Sequence, residues 1–147
     1  MEKLKMGFGA GQYKKRLIIL HVEDQLDFFH VIRQVLEQMP GEFSVLHART
    51  YAEAIELAGK YYFDCIFIDI NLPDGNGLDL FAEIKGLHPH ARGVIVSGAN
   101  EEEFVGMAGA VGIDAYLIKP VQLGALYDTL KNLFPEAFEK AQMAGSL

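Results

Sequence analysis

The sequence predicts an α/β fold: a doubly wound, five-stranded parallel sheet of strand order 2-1-3-4-5, covered by five helices. Three observations predict it. Short apolar runs alternate along the whole chain with longer stretches whose apolar residues recur at three- and four-residue steps. The short runs are apolar nearly throughout, as strands covered on both faces are. The unusual polar residues fall at the ends of those runs, where open parallel sheets bind their ligands.

The first strand is Arg16 to Val22. A helix follows at about 26–38, with Phe28, Phe29, Ile32, Val35 and Leu36 on one face, and Pro40-Gly41 ends it. Phe43 to Ala48 is the second strand. Thr50 and Glu53 form a capping-box pattern for a helix at 51–60. The third strand runs from Tyr62 to Ile70 and contains the apolar run Cys65 to Ile68. Asn71 to Gly77 is dense in turn residues, and a helix at 77–87 follows, carrying Leu78, Phe81, Ile84 and Leu87 on one side. Pro89 breaks the chain before the fourth strand, Arg92 to Ser97. A helix is expected over 100–111, weakened by Gly106 and Gly109. Ala115 to Ile118 is the fifth strand, closed by Lys119-Pro120, and Leu123 to Phe134 is the last helix. Right-handed crossovers leave few topologies for this pattern, and the flavodoxin-like order 2-1-3-4-5 is the common one at this size.

Composition sets the class. At 147 residues, half of them hydrophobic and 22% charged, the chain has enough material for one complete core. A disordered chain, a collagen-like fibre and a disulfide-rich miniprotein are excluded. Cys65, the single cysteine, has no internal partner and reads as an inert core residue. No apolar run reaches the length of a membrane span, and Leu17 to Leu20 is too short for a signal-peptide core, so a cytoplasmic protein with no membrane partner is expected. Residues 1–16 carry five basic side chains against Glu2, whereas 17–147 carry 8 basic and 19 acidic ones. That acidic body argues against direct nucleic-acid binding. Residues 1–15 read as a flexible basic extension, 16–134 as the folded domain and 135–147 as a tail. The glycines at 7, 9 and 11 follow no strand and so form no phosphate-binding loop.

Function is carried by the strand ends. Glu23 and Asp24 end the first strand, Asp69 the third, Ser97 the fourth and Lys119 the fifth. In the order 2-1-3-4-5 the switch point lies between strands one and three, so residues far apart in sequence converge there. Three carboxylates in one place repel one another, and a divalent cation relieves the conflict. Oxygen ligands without nearby His or Cys suit Mg2+. A carboxylate can also accept a phosphoryl group, with the metal and Lys119 neutralising charge and Ser97 donating a hydrogen bond.

On these residues the sequence resembles the receiver domain of two-component response regulators. The resemblance covers about 16–134 and rests on Val22-Glu23-Asp24, Phe67 to Pro73 with Gly77 eight places after Asp69, Val94 to Ala99 around Ser97, and Ala115 to Pro120. It implies that Asp69 is the phosphorylated aspartate, with a histidine kinase or a histidine phosphotransfer protein as donor. It implies that Asp24 and Asp69 ligate Mg2+ with the backbone carbonyl of Asn71, and that Glu23 helps through water. Lys119 is expected to pair with Asp69 and then with the phosphoryl group, Ser97 to swing toward it, and Tyr116 to turn inward. Pro73, Gly77 and a cis Lys119-Pro120 bond are the structural elements the resemblance implies. Output is expected through the fourth predicted helix, the fifth strand and the fifth predicted helix, to an effector protein or by self-association. The chain is then a self-phosphorylating switch, at most slowly autodephosphorylating, and turns over no metabolite.

Each residue also has an ordinary reading. Glu23-Asp24 can be a strand-end turn with a helix cap, Ser97 a turn residue, Tyr116 half-buried packing, and Asp74-Gly75 and Asn76-Gly77 turn chemistry. The five histidines show no metal-ligand spacing, and Glu101 to Glu103 suit a helix N-terminus. The main rival function is a haloacid-dehalogenase-type phosphatase or phosphotransferase with Asp69 as nucleophile. It wants a second acid two residues on, where Asn71 stands. A flavodoxin-like cofactor binder is opposed by the acidic pair after the first strand.

Overall fold

The computed structural model describes residues 12–98, 109 and 111–141. Five parallel strands form one sheet: β1 (Arg16–Val22), β2 (Glu42–Ala48), β3 (Cys65–Ile68), β4 (Arg92–Ser97) and β5 (Ala115–Ile118). Their order is 2-1-3-4-5, as the sequence predicts. The helices among the described residues are α1 (Leu26–Glu37), α2 (Tyr51–Lys60), α3 (Gly77–Leu87) and α4 (Leu123–Leu133). Residues 100–108 and 110 of the helix expected at 100–111, Glu101 to Glu103 among them, lie outside the described residues, and α4 is the last of the five predicted helices.

Side chains alternate across the sheet and build two cores. Leu20, Val22, Ile66, Ile68 and Ile95 face α2 and α3, where they meet Ala54, Ala58, Leu78, Phe81 and Ile84. Leu17, Ile19, Phe67, Val94, Val96 and Leu117 face the other way, onto Ile32 and Leu36 of α1 and Leu126 and Leu130 of α4. Cys65 is buried in this second core, which pushes its thiol pKa up and leaves it unreactive. Among the described residues no helix is long and apolar enough to cross a membrane.

Two local details differ from the sequence expectation. The third strand is shorter than Tyr62 to Ile70 at both ends, spanning only Cys65–Ile68, and a two-residue ribbon (Asn71–Leu72 with Gly75–Asn76) begins two residues beyond it. The capping box of α2 is also modified. Thr50 Oγ1 accepts the Glu53 N–H (3.1 Å), but Glu53 reaches past Thr50 to accept the Arg49 N–H (2.7 Å).

Residues 12–14 and 139–141 pair with each other. The Lys14 N–H donates to the Glu139 carbonyl (2.9 Å), the Ala141 N–H to the Gln12 carbonyl (2.7 Å), and Lys14 forms an ion pair with Glu139 (2.9 Å). A 3-10 turn, Pro135–Phe138, leads into this clasp. Its Ala137 is fully buried, and the Phe138 ring packs against Phe43 and Tyr127. The start of the segment read as a tail is therefore packed onto the domain by apolar contact.

Candidate functional site

Strand register assembles the site. Val22 pairs with Ile68, so Glu23 and Asp69 leave the sheet side by side. Ser97 pairs with Ile118, which places Lys119 one step beyond Ser97. The Asp69 N–H donates to the Val22 carbonyl (3.2 Å) and the Lys119 N–H to the Ser97 carbonyl (2.8 Å), extending the ladder to the pocket floor.

Asp69 is the hub. Its Oδ1 accepts the Ser97 hydroxyl (3.0 Å) and the Asn71 N–H (3.1 Å), and its Oδ2 lies 3.1 Å from Lys119 Nζ. Lys119 Nζ also lies 2.9 Å from Glu23 Oε1. The other Glu23 oxygen, Oε2, accepts the Gln25 N–H (3.1 Å). Glu23 is fully buried and Asp24 exposed, yet one carboxylate oxygen each from Glu23, Asp24 and Asp69 lie within 4.8 Å of one another. Burial pushes the Glu23 carboxyl above the usual range, the Asp69 charge adds to this, and Lys119 and the Gln25 N–H oppose it. For Lys119, burial works against the ammonium, but the Glu23 and Asp69 carboxylates outweigh it and hold its pKa above the ordinary value. Three carboxylates in a small pocket, with oxygen as the donor atom throughout, fit a hard divalent cation.

The remaining predicted residues lie on the elements that follow β3 and in and after β5. Asn71 opens the ribbon, with Pro73 and Asp74 as its exposed turn. Gly77 begins α3, and its N–H donates to the Ile70 carbonyl (2.7 Å). A Cβ on Gly77 would stand 2.1 Å from the Asp69 carbonyl oxygen, so only glycine permits this approach. Tyr116 is half-buried in β5 and packs against the core on the α2–α3 side. The Lys119-Pro120 peptide bond is cis.

Three features are not legible in the sequence pattern. The Phe28 ring, which the helical spacing assigns only to packing, has its centroid 4.4 Å from Lys119 Nζ. Asp74 does more than turn the chain: Oδ1 accepts the Tyr51 N–H (2.7 Å) and Oδ2 the Ala52 N–H (3.1 Å), tying the ribbon to the start of α2. An acid inside a turn that follows a strand end is the one available hint of this. His21 is fully buried beneath the site, ringed by Phe28, Phe29, Phe67 and His47. Burial, aided by the charges of His47 and Lys119, lowers its pKa to about 3.

Comparisons with known proteins identify the family of this fold. The family model for the response regulator receiver domain matches residues 19–131. The transcriptional regulatory protein DpiA of Escherichia coli K12 is 31% identical over 114 residues, covering 78% of this chain and 50% of DpiA. The chain thus spans about half the length of that relative. The chemotaxis protein CheY of Halobacterium salinarum is 28% identical over 116 residues, covering 78% of this chain and 94% of CheY. The crystal structure of a CheY-like receiver domain protein from Methanospirillum hungatei superposes with a TM-score of 0.75 at 28% identity, covering 83% of this chain and 97% of that one. A response regulator from Burkholderia pseudomallei, with a phosphorylated aspartic acid, calcium ion and citrate, matches with a TM-score of 0.70 at 29% identity, covering 78% of this chain and 66% of that one. The family match sets aside the phosphatase and flavodoxin alternatives. With its sheet order, its acidic pocket and these likenesses together, the chain belongs to the response regulator receiver domain family and is a receiver domain of two-component signalling.

Proposed function

We propose that Asp69 accepts a phosphoryl group from the phosphohistidine of a histidine kinase or histidine phosphotransfer protein, and that Mg2+ is the cofactor. The observation that carries this reading is the setting of the Asp69 carboxylate. It is held by the Ser97 hydroxyl, the Asn71 N–H and the Lys119 ammonium, with Glu23 and Asp24 alongside. A carboxylate oxygen of Asp69 attacks phosphorus, the phosphorus–nitrogen bond of the donor breaks, and its electron pair leaves on the imidazole.

Three carboxylates and one ammonium leave the pocket two negative charges in excess, which suits a divalent ion. Asp24, Asp69 and the backbone carbonyl of Asn71 would hold Mg2+. Glu23, which is fully buried and ion-paired with Lys119, is assigned an outer role through water. When bound, Mg2+ supplies positive charge against the oxygens of the transferring group. Lys119 supplies the second positive charge, and Ser97 offers its hydroxyl to a phosphoryl oxygen. Tyr116 turns inward in the phosphorylated form, and the surface around β5 and α4 passes the change to an effector protein or to a second copy. In this reading the chain works in the cytoplasm as a switch and turns over no metabolite.

The test is labelling with a small acyl phosphate in Mg2+. Asp69→Asn is expected to abolish labelling while circular dichroism stays unchanged. Persistence of an acid-stable, base-labile phosphate on the variant would show that another group is the acceptor.

A further inference from the structure

We infer that Phe28 is a positioning residue for Lys119: the face of its ring fixes the ammonium between Glu23 and Asp69. Lysine carries its charge on a flexible four-carbon stem and has three donors to place. One donates to Asp69 Oδ2 at 3.1 Å, and the ammonium also forms an ion pair with Glu23 Oε1 at 2.9 Å. A ring centroid 4.4 Å from Nζ is well inside the range of about 6 Å at which the negative face of an aromatic ring attracts a cation.

The ring is itself held in place. Phe28 lies in the first turn of α1, whose Phe29, Ile32 and Leu36 are buried in the core. The Phe28 ring is half-buried, with its edge against His21 at 6.0 Å and 70°. The Lys119 side chain is only 20% exposed, so the attraction is little screened by water.

An aromatic ring suits this position for a chemical reason. A third carboxylate there would compete for the lysine protons. The ring attracts the charge without strongly claiming an N–H, so the donors can move from carboxylate to phosphoryl oxygen while the nitrogen keeps its place. The inference rests on the phosphoacceptor reading for its consequence in rate, and on geometry alone for the contact.

Phe28→Tyr and Phe28→Leu separate this role from packing. Tyrosine keeps the ring face, whereas leucine keeps apolar bulk and loses it. With a small acyl phosphate in Mg2+, the leucine variant is expected to label about fivefold more slowly and the tyrosine variant at close to the parent rate. In the unphosphorylated parent protein, the Lys119 Cε protons are expected to show an upfield ring-current shift in NMR, kept by tyrosine and lost by leucine. Equal rates for leucine and parent, or equal slowing by both variants, overturn the positioning role. The lack of a ring-current shift in the parent overturns the contact. Absence of labelling in the parent itself overturns the phosphoacceptor reading, and the ring-current shift still decides the contact.

Discussion

Two glycines in one helix provide a sharp test of how the loop after β3 is built. Gly77 and Gly86 both lie in α3, and in each case alanine improves helix propensity by up to about 1 kcal/mol. Their surroundings are opposite. Around Gly86 an added Cβ meets nothing within 4 Å. At Gly77 it would stand 2.1 Å from the Asp69 carbonyl oxygen, 2.6 Å from Ile68 Cγ2 and 3.0 Å from the Asp69 carbonyl carbon. Two of those three atoms are backbone and cannot rotate away, so either α3 or the end of β3 must shift. Overpacking of this kind costs about 1–3 kcal/mol, which outweighs the propensity gain. Gly77→Ala is therefore expected to lower Tm by about 6 °C for a net loss of about 2 kcal/mol. Gly86→Ala is expected to raise it by up to about 3 °C. Differential scanning calorimetry of the pair at one pH and ionic strength reads both. Because the displaced backbone carries Asp69, Gly77→Ala should also slow labelling, and Gly86→Ala should not. A Gly77→Ala protein as stable as Gly86→Ala would refute the close-approach argument.

Two further outcomes follow from buried groups. Neither ring nitrogen of His21 has a hydrogen-bond partner among the described residues, and its pKa of about 3 lies well below the ordinary histidine value. Between pH 6.5 and 3 the unfolded chain binds the extra proton, so His21 makes stability fall on acidification, by at most about 1.4 kcal/mol per pH unit. His21→Leu should remove that part of the acid slope in urea titrations and stabilise the protein at pH 7 by about 1 kcal/mol; parallel slopes for the two proteins would contradict this. Phe138→Ala removes ring contacts with Phe43 and Tyr127 and should cost about 1–2 kcal/mol. It should also speed hydrogen exchange at the Lys14 and Ala141 amides, and unchanged protection there would mean that the clasp stands without the ring.

How much of this was legible depends on where each signal resides. Glu23, Asp24, Asp69, Ser97 and Lys119 could be read because a polar residue ending an apolar strand is a local pattern, and parallel pairing brings strand ends to one edge. The shortened third strand could not, since Ile70 is as apolar as Ile68, yet the pairing stops at Ile68 and the ribbon begins at Asn71. Local pattern shows Phe28 and Asp74 only as packing and turn. Their partners, Lys119 and the amides of Tyr51 and Ala52, are remote in sequence, and nothing local reveals a ring face or a free carboxylate oxygen. The clasp of 12–14 with 139–141 escaped because a 3-10 turn of four residues is too short to show periodicity.

The fold can carry so acidic a pocket because one cation is shared. Two carboxylates within 4.8 Å of each other repel by at least roughly 3 kcal/mol at an effective dielectric of about 20, while an ammonium at 2.9 Å attracts by roughly 6 kcal/mol on the same scale. Lys119 therefore offsets the repulsion between Glu23 and Asp69, while burial still holds the Glu23 carboxyl above its usual range. Asp24 lies outside that balance. It has no part in the Lys119 ion pairs, and as an exposed residue it adds negative charge where solvent and incoming ligands arrive. Burial divides the cluster: Lys119 offsets charge on Glu23 and Asp69 from within the fold, and Asp24 brings the remaining negative charge to the side open to solvent.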